Sequence, residues 1–163
     1  WVKANEVSSA DANKEILALR KENAELIKQI EEIKVTPPVG SEMLKQGEDS
    51  VCLHFISSHE QGVELNTTWN KLFAYLAPMM INEATEFGIN QALRELCFRD
   101  YRFNYKSFVE LLSEDFYTIL IQFSSLGLIA KSEKKRGIKD TNVYWTLTPY
   151  GYNEMIKLKA VKK

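Results

Sequence analysis

Residues 112–132, LSEDFYTILIQFSSLGLIAKS, and residues 144–151, YWTLTPYG, decide how the second half of this chain folds. Phe116, Ile119, Leu120, Phe123 and Leu126 recur at three- and four-residue steps, the period of a helix with one buried stripe. Ser113 stands where an N-cap belongs, and Glu114 and Asp115 follow in the first turn, where the helix dipole favours carboxylates. Gly127 ends the run. The outward positions are then Asp115, Tyr117, Thr118, Ile121, Gln122 and Ser125. LIAKS and VYWTL read as strands flanking EKKRGIKDTN. Thr148 and Pro149, as N-cap and N1, open a last helix whose apolar side includes Tyr152, Met155 and Ile156.

Working towards the N-terminus, Thr68 can cap a helix in which Trp69, Leu72, Phe73, Leu76 and Met80 share one side. Tyr75, Ala77 and Met79 make its other side apolar, and Pro78 should kink or split it. A second helix is expected from about Asn90 to Arg99, with Ala92, Leu93, Leu96 and Cys97 inward. Tyr101, Phe103 and Tyr105 alternate with Arg102 and Asn104 as in a short strand, and a brief helix through Phe108, Val109, Leu111 and Leu112 follows. Helix, short strand, helix, turn, helix and a β-hairpin with a basic tip is the order of a winged helix. The spacing of LGLI and LTPYG resembles that of many such domains. Ahead of it, Val51 to Ser58 and Gly62 to Thr67 read as two strands of a hairpin. The expected domain is therefore residues 51–163, of α+β class.

The first third reads differently. In ANKEILALRKENAELIKQIEEIK, residues 12–34, heptad positions a hold Ile16, Asn23 and Ile30, and positions d hold Ala12, Leu19, Leu26 and Ile33. That alternation makes two helices supercoil; Ile at a with Leu at d favours two parallel strands, and one buried Asn enforces register. Residues 1–34 are expected to be a parallel, dimerising coiled coil through Ile16, Leu19, Asn23, Leu26, Ile30 and Ile33. Residues 35–50, with Pro37, Pro38, Gly40 and Gly47 and no sustained period, read as a flexible linker.

Composition narrows the function classes. The chain is 45% hydrophobic and 26% charged, with a formal net charge of −1, so no global bias towards nucleic acid exists. Charge is uneven: residues 1–66 hold 12 acidic against 7 basic side chains, and residues 67–163 hold 10 against 14. Cys52 and Cys97 sit in no motif, which fits a reduced, cytoplasmic protein without a disulfide framework. Cys52 and His54 fall on one face of a strand, half of a metal site. Its missing partners could come only from His59 and Cys97, at no motif spacing, so no metal or other cofactor is expected. The apolar run from Leu72 to Ile81 is too short to span a bilayer. Trp1 at the start suggests a piece of a longer protein.

Taken together, WVKANEV, the LRKENAEL zipper, the strand leading into TTWNKLFAYLAP and the WTLTPYG ending resemble the C-terminal region of bacterial proteins whose N-terminal half is the domain of unknown function 4062. The resemblance implies architecture: a part that oligomerises and presents a Toll/interleukin-receptor-like domain absent from this chain, in signalling or defence. It implies no site residues.

Three functions come into question. For an enzyme, no Gly-rich phosphate loop, GxSxG, HExxH or useful Cys/His pair is present. For a dimeric DNA-binding regulator, Lys131, Lys134, Lys135, Arg136 and Lys139 at the wing could meet phosphates. The acidic first turn of the third helix opposes that reading, while Tyr117, Thr118, Ile121 and Gln122 suit a protein surface. The expectation is an oligomerisation and adaptor module with an unknown protein partner, and DNA binding is the alternative.

Overall fold

The computed structural model describes residues 9–57, 62–101 and 109–161. The WVKANEV start, the hairpin loop with His59 and most of the strand expected around Phe103 lie outside them. Residues 1–36 and 37–163 form two compact units. The fold is α+β: among the described residues there are five α-helices and two three-stranded antiparallel sheets.

The first unit is α1 (Ser9–Lys34). Its Ala, Glu, Lys and Leu content favours helix at every turn. It closes with Val35 and Thr36 donating to the carbonyls of Glu32 and Ile33, after which Pro37 has no N–H to continue. Ile16, Leu19, Leu26, Ile30 and Ile33 stand 46–70% exposed.

The second unit opens with a departure from expectation. Residues 37–50, read as linker, are bound to the body of the unit. The Gln46 and Gln122 side chains donate to the carbonyls of Ser41 and Lys45. Trp69 and Asn70 donate their backbone N–H groups to Asp49 and Gly47 at 3.3 and 2.8 Å. Pro38 packs so closely on Gly127 that a Cβ there would meet its ring at 2.6 Å. Proline and glycine mark the absence of a repeating element, but the backbone still needs partners, and here the start of α2 and the Gln122 side chain supply several of them.

Strands β1 (Ser50–Ser57) and β2 (Val63–Thr68) pair antiparallel, with Phe55 opposite Val63 and Ser50 opposite Thr68. Thr68 caps α2 (Trp69–Leu76), its hydroxyl accepting from Lys71 N–H at 3.3 Å. At Pro78 the helix gives way to a 3₁₀ turn, Ala77–Met80, the split that proline imposes. Next come β3 (Ala84–Thr85) and α3 (Glu86–Tyr101), which begins one turn earlier than its periodicity suggests and runs to the tyrosine expected in a strand.

Strand β4 (Val109–Leu111) replaces the brief helix expected there. Val109 and Leu111 are buried with Glu110 exposed between them, and the three pair with Ser57, Ile56 and Phe55. Three residues cannot display a period, so the open edge of β1 decides their conformation.

Helix α4 (Ser113–Ser125) buries the stripe read from its sequence, although Leu112, not Ser113, occupies the cap position. Gly127, at φ 68°, closes it: Gly127 and Leu128 donate to the carbonyls of Ser124 and Phe123, both at 2.9 Å. β5 (Ile129–Lys131), β6 (Tyr144–Leu147) and α5 (Pro149–Lys159) complete the chain. Thr148 caps α5 by accepting from Gly151 N–H at 2.9 Å.

The sheets run β2-β1-β4 and β3-β6-β5. Between them lies one core, in which Phe123 of α4 meets Trp69 and Phe73 of α2 edge-on, with ring centres 5.8 and 5.3 Å apart. Gly151 lets α5 touch the backbone after α4, since a Cβ there would fall 1.8 Å from the Leu128 carbonyl oxygen.

Candidate interaction surfaces

With its stripe inward, α4 turns Tyr117 (52% exposed), Thr118 and Ile121 (65% exposed) outward. Gln122, half-buried on the same helix, donates its side-chain amide to the Lys45 carbonyl. Beside Tyr117 and Ile121 runs a groove of about 300 Å³, lined also by Glu86, Leu120, Lys131 and Trp145. Trp145 Nε1 donates to Glu86 at 3.2 Å, which fixes the groove floor. An adjoining cleft between α3 and α4 shares Tyr117 and adds Phe87, 72% exposed. Sequence reasoning missed Phe87 and Trp145. Phe87 lies before the helix expected from Asn90, and Trp145 is a buried core residue that also lines the groove.

The loop between β5 and β6 is organised around Glu83, a non-glycine residue at φ 79°. Its carboxylate accepts from Arg136 at 2.7 Å and from the Ser132 hydroxyl, with Lys134 Nζ at 3.4 Å. The hydrogen bonds from Ser132 and Arg136 hold its carboxyl at about 2, well below the usual 4.5. Arg136 lies over the Tyr144 ring at 3.4 Å, and Tyr144 in turn donates to Asp140 at 3.0 Å. Lys131 sits 5.5 Å above the Trp145 ring. Of the five candidate phosphate contacts, Lys131, Lys134 and Arg136 are thus engaged within the domain. Lys135 and Lys139 are exposed and make no ion pair among the described residues.

A third cluster joins the two halves of the domain. The Asp115 carboxylate accepts from both the backbone N–H of His54, at 2.6 Å, and its ring Nδ1, at 2.9 Å. Nε2 of the same ring lies 3.8 Å from Cys52 Sγ. Burial first, then the charges of Glu64 and Asp115, push the Cys52 thiol above its ordinary value. Cys97, by contrast, is enclosed in the core, and burial pushes it up to about 11. Among the described residues no three His, Cys, Asp or Glu side chains are arranged to hold a metal ion, and no helix is long and apolar enough to cross a membrane.

In the first unit, Ile16, Leu19, Asn23, Leu26, Ile30 and Ile33 are all exposed along α1. The structure brings them onto one helix.

Compared with known protein families, curated proteins and solved structures, the chain matches none.

Proposed function

We propose that this chain is an oligomerisation and protein-interaction module, with α1 as a parallel coiled coil and residues 51–163 as a winged-helix-like domain that binds a protein partner. The observation that carries the reading is the outward face of α4, where Tyr117 and Ile121 stand exposed beside an apolar-floored groove. Large apolar and aromatic side chains around a concavity suit a protein partner better than a phosphate backbone. The sheet order β3-β6-β5, with α2, α3 and α4 around it, supports the winged-helix reading. The exposed a and d residues of α1, over a length of about 39 Å, support the paired helix. The resemblance to proteins carrying the domain of unknown function 4062 adds the bacterial setting and a domain to present.

The DNA-binding alternative draws on Lys135 and Lys139, but Glu83 engages Lys134 and Arg136 of the same wing. Two measurements test the proposal. Sedimentation equilibrium of the full chain should show a dimer at about 100 μM, far above any working affinity; a monomer there refutes the zipper. Selection from a random duplex library at roughly 0.15 M salt should enrich nothing, because the remaining phosphate contacts are few. An enriched two-fold symmetric sequence whose binding needs Thr118 would replace the adaptor by the regulator.

A further inference from the structure

The geometry points to a reactive-thiol site on the outer face of the β1–β2 hairpin: Cys52 as nucleophile, His54 as its general base and Asp115 as the residue that positions the base, acting on a small-molecule disulfide.

The carboxylate of Asp115 has only lone pairs to offer, so the hydrogen bond at 2.9 Å places the ring proton on Nδ1 of His54. Nε2 then carries the lone pair, and it is Nε2 that lies 3.8 Å from Cys52 Sγ, within reach of an S–H donor. Nucleophile, base and orienting carboxylate in that sequence of contacts is the arrangement that activates thiols and hydroxyls in unrelated folds. Two different parts of the chain build it. Cys52 and His54 are two residues apart on β1 and so share a face, while Asp115 comes from the first turn of α4. The same carboxylate oxygen also takes the His54 backbone N–H at 2.6 Å, which holds the histidine's main chain and its ring against one anchor.

The site is open. The His54 side chain is 47% exposed and Cys52 is partly exposed. Burial first, then the charges of Glu64, opposite His54 on β2, and of Asp115 raise the thiol above its ordinary value. The unassisted thiolate is therefore scarce, and reaction depends on the neighbouring base. In the exchange, Nε2 takes the Cys52 proton as Sγ attacks one sulfur of the disulfide. The Sγ–S bond forms, the original S–S bond breaks, and the departing thiolate receives the proton from the imidazolium. One disulfide and one thiol become one mixed disulfide and one thiol, with no net change in oxidation state.

The test uses the full chain, with glutathione disulfide and the aromatic disulfide 5,5′-dithiobis(2-nitrobenzoate) as probes and chelator present throughout. One thiol per chain should react rapidly, peptide mass should map it to Cys52, and the enclosed Cys97 should stay silent. His54→Ala should slow Cys52 by about 100-fold, the lower end of what a positioned base supplies. Asp115→Asn should slow it less. Damage to the fold moves the readout the other way, since loosening exposes both thiols and speeds both. Slower reaction at Cys52 with Cys97 still silent supports the relay. An unchanged or faster Cys52 in His54→Ala, or equal reactivity of the two cysteines in the unsubstituted chain, overturns it.

Discussion

Helices α1 and α4 carry the same kind of message and meet opposite fates. Both repeat large apolar residues at three- and four-residue steps. In α4, Phe116, Ile119, Leu120 and Phe123 are at most 5% exposed. In α1, Ile16, Leu19, Leu26, Ile30 and Ile33 are at least 46% exposed. An apolar stripe states that a helix face must be covered, because leaving it in water forgoes about 25 cal/mol per Å². It does not state what covers it. For α4 the cover is the chain's own α2, reached across some fifty residues of sequence through the Trp69–Phe123 and Phe73–Phe123 contacts. For α1 the heptad spacing and Asn23 point to a second copy.

Leu120→Ala should destabilise the second unit by about 2–5 kcal/mol, because a fully packed side chain leaves a cavity. Chemical denaturation should give the same loss at every protein concentration. Ile121→Ala, one position on but outward, should cost under about 0.5 kcal/mol, as exposed substitutions do. Equal costs would show that α4 is rotated from the description above.

Gly151→Ala sharpens the idea that cover is a matter of close fit. The new Cβ would fall 1.8 Å from the Leu128 carbonyl oxygen, so α5 must move away. Thermal unfolding should report a loss of about 1–3 kcal/mol, the usual cost of overpacking.

Leu26→Ala tests the other helix. If α1 is covered in trans, its melting transition should fall and depend on concentration, since association stabilises by mass action. The transition of the second unit should stay where it was. Far-UV circular dichroism at two concentrations about 30-fold apart, enough to shift a mass-action equilibrium visibly, separates the cases.

The smallest effect belongs to the loop between β5 and β6. Glu83 has a folded-state pKa of about 2 against an ordinary 4.5. A lowered carboxyl pKa stabilises fully above the unfolded value and is lost as pH falls through the folded one. The melting temperature of the unsubstituted chain should therefore exceed that of Glu83→Gln at neutral pH, and the gap should close between about pH 4.5 and 2. A constant gap would mean that Ser132 and Arg136 do not hold the charged form.

Local rules made several features legible. The Thr68 and Thr148 caps, the Pro78 split, the Gly127 terminus and the α4 stripe each follow from residues within one or two turns, where sterics and hydrogen bonding act without knowledge of the rest of the chain. Features that failed share a cause. Val109 and Leu111 were read as helix, yet the edge of β1 pairs with them. Residues 35–50 carry the composition of a flexible linker, yet Gln122 and Asn70, far along the chain, bind Lys45 and Glu48 within them.

The candidate surfaces divide the same way. Tyr117 and Ile121 could be assigned to the outside of α4 from periodicity alone, because a helix turns by a constant angle per residue. Cys52 and His54 could be placed on one strand face for the equivalent reason, a period of two. Neither period says what stands opposite. That Lys134 and Arg136 turn to Glu83, that Trp145 donates to Glu86, and that Asp115 reaches His54 are contacts between residues from 51 to 61 positions apart. Backbone preferences act over a few residues and could not encode such meetings. The tertiary structure decided them, because only the packing of α4 and the two sheets around one core brings those side chains within hydrogen-bonding distance.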